Sequence, residues 1–188
     1  MGFSYSLLRT KKEKLRMDEI TDKERADFKR VTAGLKQPNI TTNESRELFY
    51  ELEAGLFGGD LAFVHNMGLL AVQSNLVEEA YAIGMDMMDD GWPSSTVGIA
   101  AKGLTTLPES EAPVFHEMLT AAAQLGHIRA RSFMWGHKLR KIGPLRHIAL
   151  LPIRLGIALH GLTILLKNRG DVRLDVGTST KPPFRTRE

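Results

Sequence analysis

The sequence predicts an all-α fold, a short α-solenoid of antiparallel helix pairs followed by one further apolar C-terminal helix. Three observations predict it. No segment alternates apolar and polar residues with period two, whereas apolar residues recur at three- and four-residue spacing through most of the chain. Thr21, Thr41 and Asn75, each followed three positions later by glutamate in a helix-start signature, precede three of these runs. Gly58, Gly91 and Gly126 are separated by 33 and 35 residues, the period of helix-turn-helix arrays.

Taken in order, residues 11–36 are charge-dense with a helical pattern: Thr21 and Glu24 form a capping box, and Phe28, Val31 and Leu35 fall on one face. Pro38 and Asn39 break this leader helix, which is assigned to 1–40. Thr41 and Glu44 open the next helix, with Leu48, Phe49, Leu52 and Leu56, and Gly58-Gly59-Asp60 stops it. A helix over 61–73 carries Val64, Met67, Leu69 and Leu70. Asn75 and Glu78 then read as the cap of a helix that reaches Met88 and stops at Asp89-Asp90-Gly91. Further helices are predicted over 94–103, over 111–125 with Ser110 as cap, and over 128–141, with a loop at 105–108. Pro113 is tolerated there because the first turn of a helix has no amide partner to lose.

The repeat region, 41–143, is marked by small residues at matching places. Four residues after each turn glycine lie Ala62, Ser95 and Ala130; ten after lie Gly68, Ala101 and Gly136. Two positions six apart differ by about 600° around a helix, so they face different neighbours. Each second helix could thus pack closely on two others.

The unit Ala122-Ala123-x-x-Gly126-His127-x-x-Ala130-Arg131, with Trp135-Gly136 beyond it, resembles the bacterial Sel-like branch of the tetratricopeptide-repeat superfamily. The copies at Gly58 and Gly91 are degenerate; the middle one has Ser95 where alanine is usual and Trp92-Pro93 after the turn. The resemblance covers about residues 44–143 and implies an α-solenoid that holds protein partners in a groove without catalysis. Histidine is common at the position of His127 in such repeats, which implies a packing or capping role.

Residues 145–166 are the most apolar part of the chain and long enough to span a bilayer, which takes about 20 residues. Arg154 near the middle opposes spanning, at about 2.5–3.5 kcal/mol on insertion scales. Arg146 and His147 intrude at one end, and Pro152 and Gly156 loosen the helix. A broad apolar face with a basic stripe suits a helix lying in a membrane interface. Two other readings stay open: a span of the bilayer, and packing within the protein or an oligomer, as in a fourth repeat in which Gly161, 35 residues after Gly126, turns the chain into a short segment over 162–167. The last part, 168–188, is a basic tail with Pro182-Pro183.

The net charge of +3 conceals a segregation. Residues 42–126 hold 2 basic and 13 acidic side chains, whereas 127–188 hold 13 basic and 3 acidic ones. Such blocks aim at different partners. Arg129, Arg131, Lys138, Arg140 and Lys141 could meet phosphates, yet the acidic block repels a polyanion and no aromatic platform is interleaved. Anionic lipid or an acidic protein suits the cluster better than nucleic acid.

Signals for chemistry are weak. The chain has no cysteine, which removes disulfides and thiolate sites and suits a reducing compartment. His116-Glu117 starts like a zinc-protease helix, but Thr120 stands where the second histidine belongs. Asp86, Asp89 and Asp90 are close enough to approach a divalent ion, but they sit at a helix C-terminus and an exposed acidic rim accounts for them better. No phosphate-binding glycine loop or nucleophile elbow occurs. The expectation is a non-catalytic adaptor without metal or cofactor, cytoplasmic or peripheral to the inner membrane. Its acidic groove would bind a protein, and its basic apolar end would dock on a membrane or membrane complex. The alternatives are a homo-oligomeric structural protein joined through 145–166 and a hydrolase using the aspartate rim.

Overall fold

The computed structural model describes residues 22–167 apart from 38, 58–59, 139–142 and 144. The leader before residue 22, the Thr21 cap, Gly58, Arg140, Lys141 and the basic tail therefore lie outside the described residues. All regular structure among the described residues is helical, with no strand: α1 (Asp22–Lys36), α2 (Thr42–Leu52), α3 (Leu61–Gln73), α4 (Val77–Asp89), α5 (Pro93–Thr106), α6 (Ala112–Gln124), α7 (Ile128–Lys138) and α8 (Arg146–Lys167). Short 3-10 turns follow α2 and precede α6. The chain divides into two compact units, one ending at Ile83 and the other starting at Gly84, within α4.

In the first unit the Thr41 signature forms as predicted. The Glu44 amide donates to Thr41 Oγ1 at 3.2 Å, and the Thr41 amide donates to the Glu44 carboxylate at 2.8 Å. The Thr41 amide and the Thr41 hydroxyl both donate to the Glu44 carboxylate and hold it below its ordinary pKa. The same logic starts α3, where Asp60 accepts from the Phe63 amide at 2.6 Å. α1, α2 and α3 pack on one another around Val31, Phe49, Leu52, Phe63, Met67 and Leu70, all buried. Gly34 allows α1 to approach α2, since a Cβ there would lie 2.6 Å from Leu48 Cδ2. Arg30 reaches the Glu51 carboxylate at 2.6 Å across the outside of this contact.

Asn75 does not cap α4. It adopts φ 55° and ends α3, with the Leu76 amide donating to the Ala71 carbonyl and the Asn75 amide to Val72. Asparagine tolerates the left-handed region, so a helix stop took the place of the predicted start. The same paired closure recurs at Gly91 (φ 88°) and Gly126 (φ 89°). There the Trp92 amide reaches Met87, and the His127 amide reaches Ala122. A residue with a Cβ is strained at such angles, which explains the glycines.

In the second unit, neighbouring helices pack in sequence order, α5 on α6, α6 on α7 and α7 on α8. Thr96 Oγ1 donates to the Gly84 carbonyl at 2.6 Å, pinning α5 to the end of α4. Val97, Ile99, Ala100, Phe115, Met118, Leu119, Ala122 and Ala130 are fully buried. Two glycines fit side chains of α6: the Phe115 ring lies against Gly103, where an added Cβ would meet three ring carbons at 2.5–2.6 Å, and Met118 occupies the space beside Gly84. α5 continues through Thr105 and Thr106, where a loop was expected. Ser110 forms no cap on α6 and lies in the 3-10 turn Glu109–Glu111 that leads into it. α8 runs unbroken through Gly161, which excludes the reading that this residue turns the chain into a fourth helix pair.

Candidate interaction surface

The small residues singled out by spacing differ in their surroundings. Gly68, Gly126 and Ala130 are buried, whereas Ala62, Gly91, Ser95, Ala101 and Gly136 are half-buried. A Cβ added to Gly136 would meet nothing within 4 Å among the described residues, so no neighbour presses on it. The close seats are instead Gly34, Gly84 and Gly103, which lie off the repeated register. A lone glycine within a helical pattern carries no signal of which ring or thioether lies over it.

His127 is fully buried and starts α7. Its Nδ1 accepts from the Ala130 amide at 3.3 Å, and its Nε2 lies 3.0 Å from Ser94 Oγ. A ring whose Nδ1 accepts a backbone proton carries its own proton on Nε2, so Nε2 donates to the serine oxygen. In that tautomer His127 cannot take the Ser94 proton, and the pair joins α5 to α7 instead of forming a nucleophile and base. No group of three or more His, Asp or Glu among the described residues could hold a metal ion. Asp86, Asp89 and Asp90 lie exposed at the end of α4, and each makes a polar interaction there.

α8 is built differently from the other helices. Leu150 and Ile164 are buried and Ile153 and Ile157 half-buried along one side, which packs against α7; Ile128 lies 3.7 Å from where a Gly161 Cβ would stand. On the other side, Ile148, Leu151, Leu155, Leu159, Leu162 and Leu166 follow at three- and four-residue steps and are 69, 65, 59, 55, 50 and 78% exposed. Most of the exposed large hydrophobic residues among the described residues of the second unit lie on this helix, and a monomeric soluble surface rarely carries an apolar stripe this long. Arg154 is exposed and is the one formally charged residue from 148 to 166. The helix is long and apolar enough to cross a membrane, and 11% of its most apolar window is buried. The sequence shows the broad apolar face but not which side of it faces out, because α8 is apolar on both sides and only packing tells them apart.

Of the predicted cations, the side chains of Arg129, Arg131 and Arg154 are described. Arg129 is exposed at the start of α7, while Arg131 is half-buried and its Nε donates to the Ala123 carbonyl at the end of α6, at 3.2 Å. The side chains of Lys138, Arg146 and His147 lie outside the described residues. Arg131 also lines a cleft of about 430 Å³ between α6, α7 and α8, together with Trp135, Met134, Ile153, Ile157 and His160. Sequence reasoning did not find this cleft, since its lining comes from three helices. No protein-family model, curated protein or solved structure matches the chain.

Proposed function

We propose that this chain is a non-catalytic helical interaction module held on an anionic membrane surface by α8. The carrying observation is the exposed stripe from Ile148 to Leu166. Fully burying one leucine is worth about 1.5–3 kcal/mol, so a half-exposed row of six leaves a large unrealised gain. A helix lying in the interface realises it by sinking about 5–10 Å, less than its own diameter. Arg154 beside the stripe can reach headgroup phosphates, each such cation adding about 1 kcal/mol. Spanning is disfavoured because the other side of α8 packs on α7, which carries Arg129 and Arg131. The Sel-like resemblance and the acidic character of 42–126 support a solenoid whose remaining surface binds a basic or helical protein.

Flotation with vesicles tests the reading. The chain should float with vesicles containing phosphatidylglycerol and far less with pure phosphatidylcholine. Leu155→Glu should abolish flotation, and Arg154→Glu should weaken it roughly 30-fold, because reversal removes one attraction and adds one repulsion of about 1 kcal/mol each. Flotation unchanged in Leu155→Glu contradicts the reading.

A second reading is favoured by one observation. Ile148, Leu155 and Leu162, with Leu151, Ala158 and Leu165, recur at heptad spacing, as in a helix seam between two copies. Size measurement separates the two: a dimer lost in Leu155→Glu, with no vesicle binding, supports assembly through α8.

A further inference from the structure

We infer that the cleft between α6, α7 and α8 is a binding site for a single anionic phospholipid, with its phosphate held by Arg131 and its acyl chain on the isoleucine wall of α8. The inference rests on the preceding reading for the source of the lipid. The lining joins two chemistries: Ala123, Met134, Ile153 and Ile157 give apolar walls, and Arg131, His160, Thr120 and Gln124 give polar groups. No carboxylate lines it among the described residues. A half-buried guanidinium facing apolar walls without a lining acid calls for an anion that carries hydrocarbon.

The bond from Arg131 Nε to Ala123 uses one of five guanidinium N–H groups and orients the rest, so the cation is placed before a ligand arrives. Trp135, 42% exposed, stands at the cleft with an apolar ring and one N–H, the combination suited to a water–lipid boundary. Gly156 completes the geometry. It lines the cleft, is exposed, and has no neighbour within 4 Å of an added Cβ among the described residues. It lies between the cleft wall at Ile153 and Ile157 and the outer stripe at Leu155 and Leu159. Its missing side chain opens the cleft towards the face that the membrane would cover. A volume of about 430 Å³ lies in the range of small-ligand sites, roughly 300–1,000 Å³.

The test uses the full chain with Trp92→Phe, so that Trp135 is the one fluorophore of its kind. The probes are dodecyl phosphate below its micelle concentration, dodecyltrimethylammonium and inorganic phosphate. Dodecyl phosphate should shift Trp135 emission saturably, inorganic phosphate should not, and the cationic amphiphile should bind at least tenfold more weakly. Arg131→Gln should weaken dodecyl phosphate binding at least tenfold. Gly156→Leu should block it while leaving helicity and urea midpoint intact, since the added side chain fills open space. Equal binding of both amphiphiles, saturation by inorganic phosphate alone, or unchanged affinity in both variants would overturn the assignment. Vesicle flotation is measured in parallel: a chain that floats but ignores dodecyl phosphate refutes the cleft alone, and one that does neither refutes both readings.

Discussion

α3 and α8 are both apolar helices, and they resolve that composition in opposite ways. α3 turns Phe63, Met67, Leu70, Ala71 and Val72 inward against α1 and α2, and it keeps no exposed large hydrophobic residue. α8 buries Leu150 and Ile164 and leaves six leucines and isoleucines half or more exposed from Ile148 to Leu166. Their polar residues follow suit. Asn66 and Gln73 of α3 donate towards Thr32 and the Gly34 carbonyl of α1, whereas Arg154 of α8 stands in solvent. Apolar composition therefore does not assign a helix to a core. What assigns it is whether neighbours exist to cover each side, and α8 has them on one side only.

Truncating one leucine in each helix should give opposite results. Leu70→Ala should cost about 2–5 kcal/mol in urea unfolding, because Leu70 is fully buried. Leu155→Ala should stay within about 0.5 kcal/mol, as expected of a surface position. Equal losses would mean that the outer stripe is covered in the folded chain.

In the unit that carries α8, two glycines seat side chains of α6 that differ in stiffness. Gly103→Ala should destabilise by about 1–3 kcal/mol, because the ring of buried Phe115 cannot yield to the new methyl. Gly84→Ala should cost less, since Met118 is a flexible thioether that can turn aside. Thermal unfolding of the two variants gives the order, and the reverse order contradicts the packing described.

His127→Ala should lower stability by about 1–2 kcal/mol, leaving the Ala130 amide without its side-chain acceptor. His127→Asn should recover part of it, because a shorter polar side chain can still cap the helix. If α8 depends on α7 for its covered side, His127→Ala should also speed proteolysis within α8.

The smallest effect concerns acid. His65 of α3 is largely buried, its Nδ1 meets no hydrogen-bond partner among the described residues, and burial holds its pKa below the ordinary 6.5. The unfolded chain then binds the proton more readily than the folded chain. Stability is unaffected well above pH 6.5 and falls as pH drops through that value, levelling off below the lowered folded pKa. His65→Leu should flatten this part of the curve of melting temperature against pH. Identical curves for wild type and variant would place His65 in water.

Much of the fold was legible because local chemistry decided it. The Thr41–Glu44 box, the bounds of α3 and the glycine stops at 91 and 126 follow from groups adjacent in sequence. Asn75 misled because one residue type serves both helix starts and left-handed stops, and the chain used the second. The seats at Gly84 and Gly103 and the cleft beside Arg131 were illegible, since each depends on a residue from another helix. In α8 the composition was plain and its direction was not: a helix apolar on two sides has no preferred inner face until α7 covers one.

Because the sequence has no cysteine, a single introduced thiol can report where α8 meets a membrane. A single cysteine at Leu159 carries an environment-sensitive fluorophore on the outer stripe, and one at Thr105 carries it on exposed α5 as control. With phosphatidylglycerol vesicles, the Leu159 label should shift to the blue and brighten while the Thr105 label stays as in buffer. A Leu159 label that responds to no vesicle, or one that shifts equally when protein concentration alone is raised, contradicts membrane docking through α8.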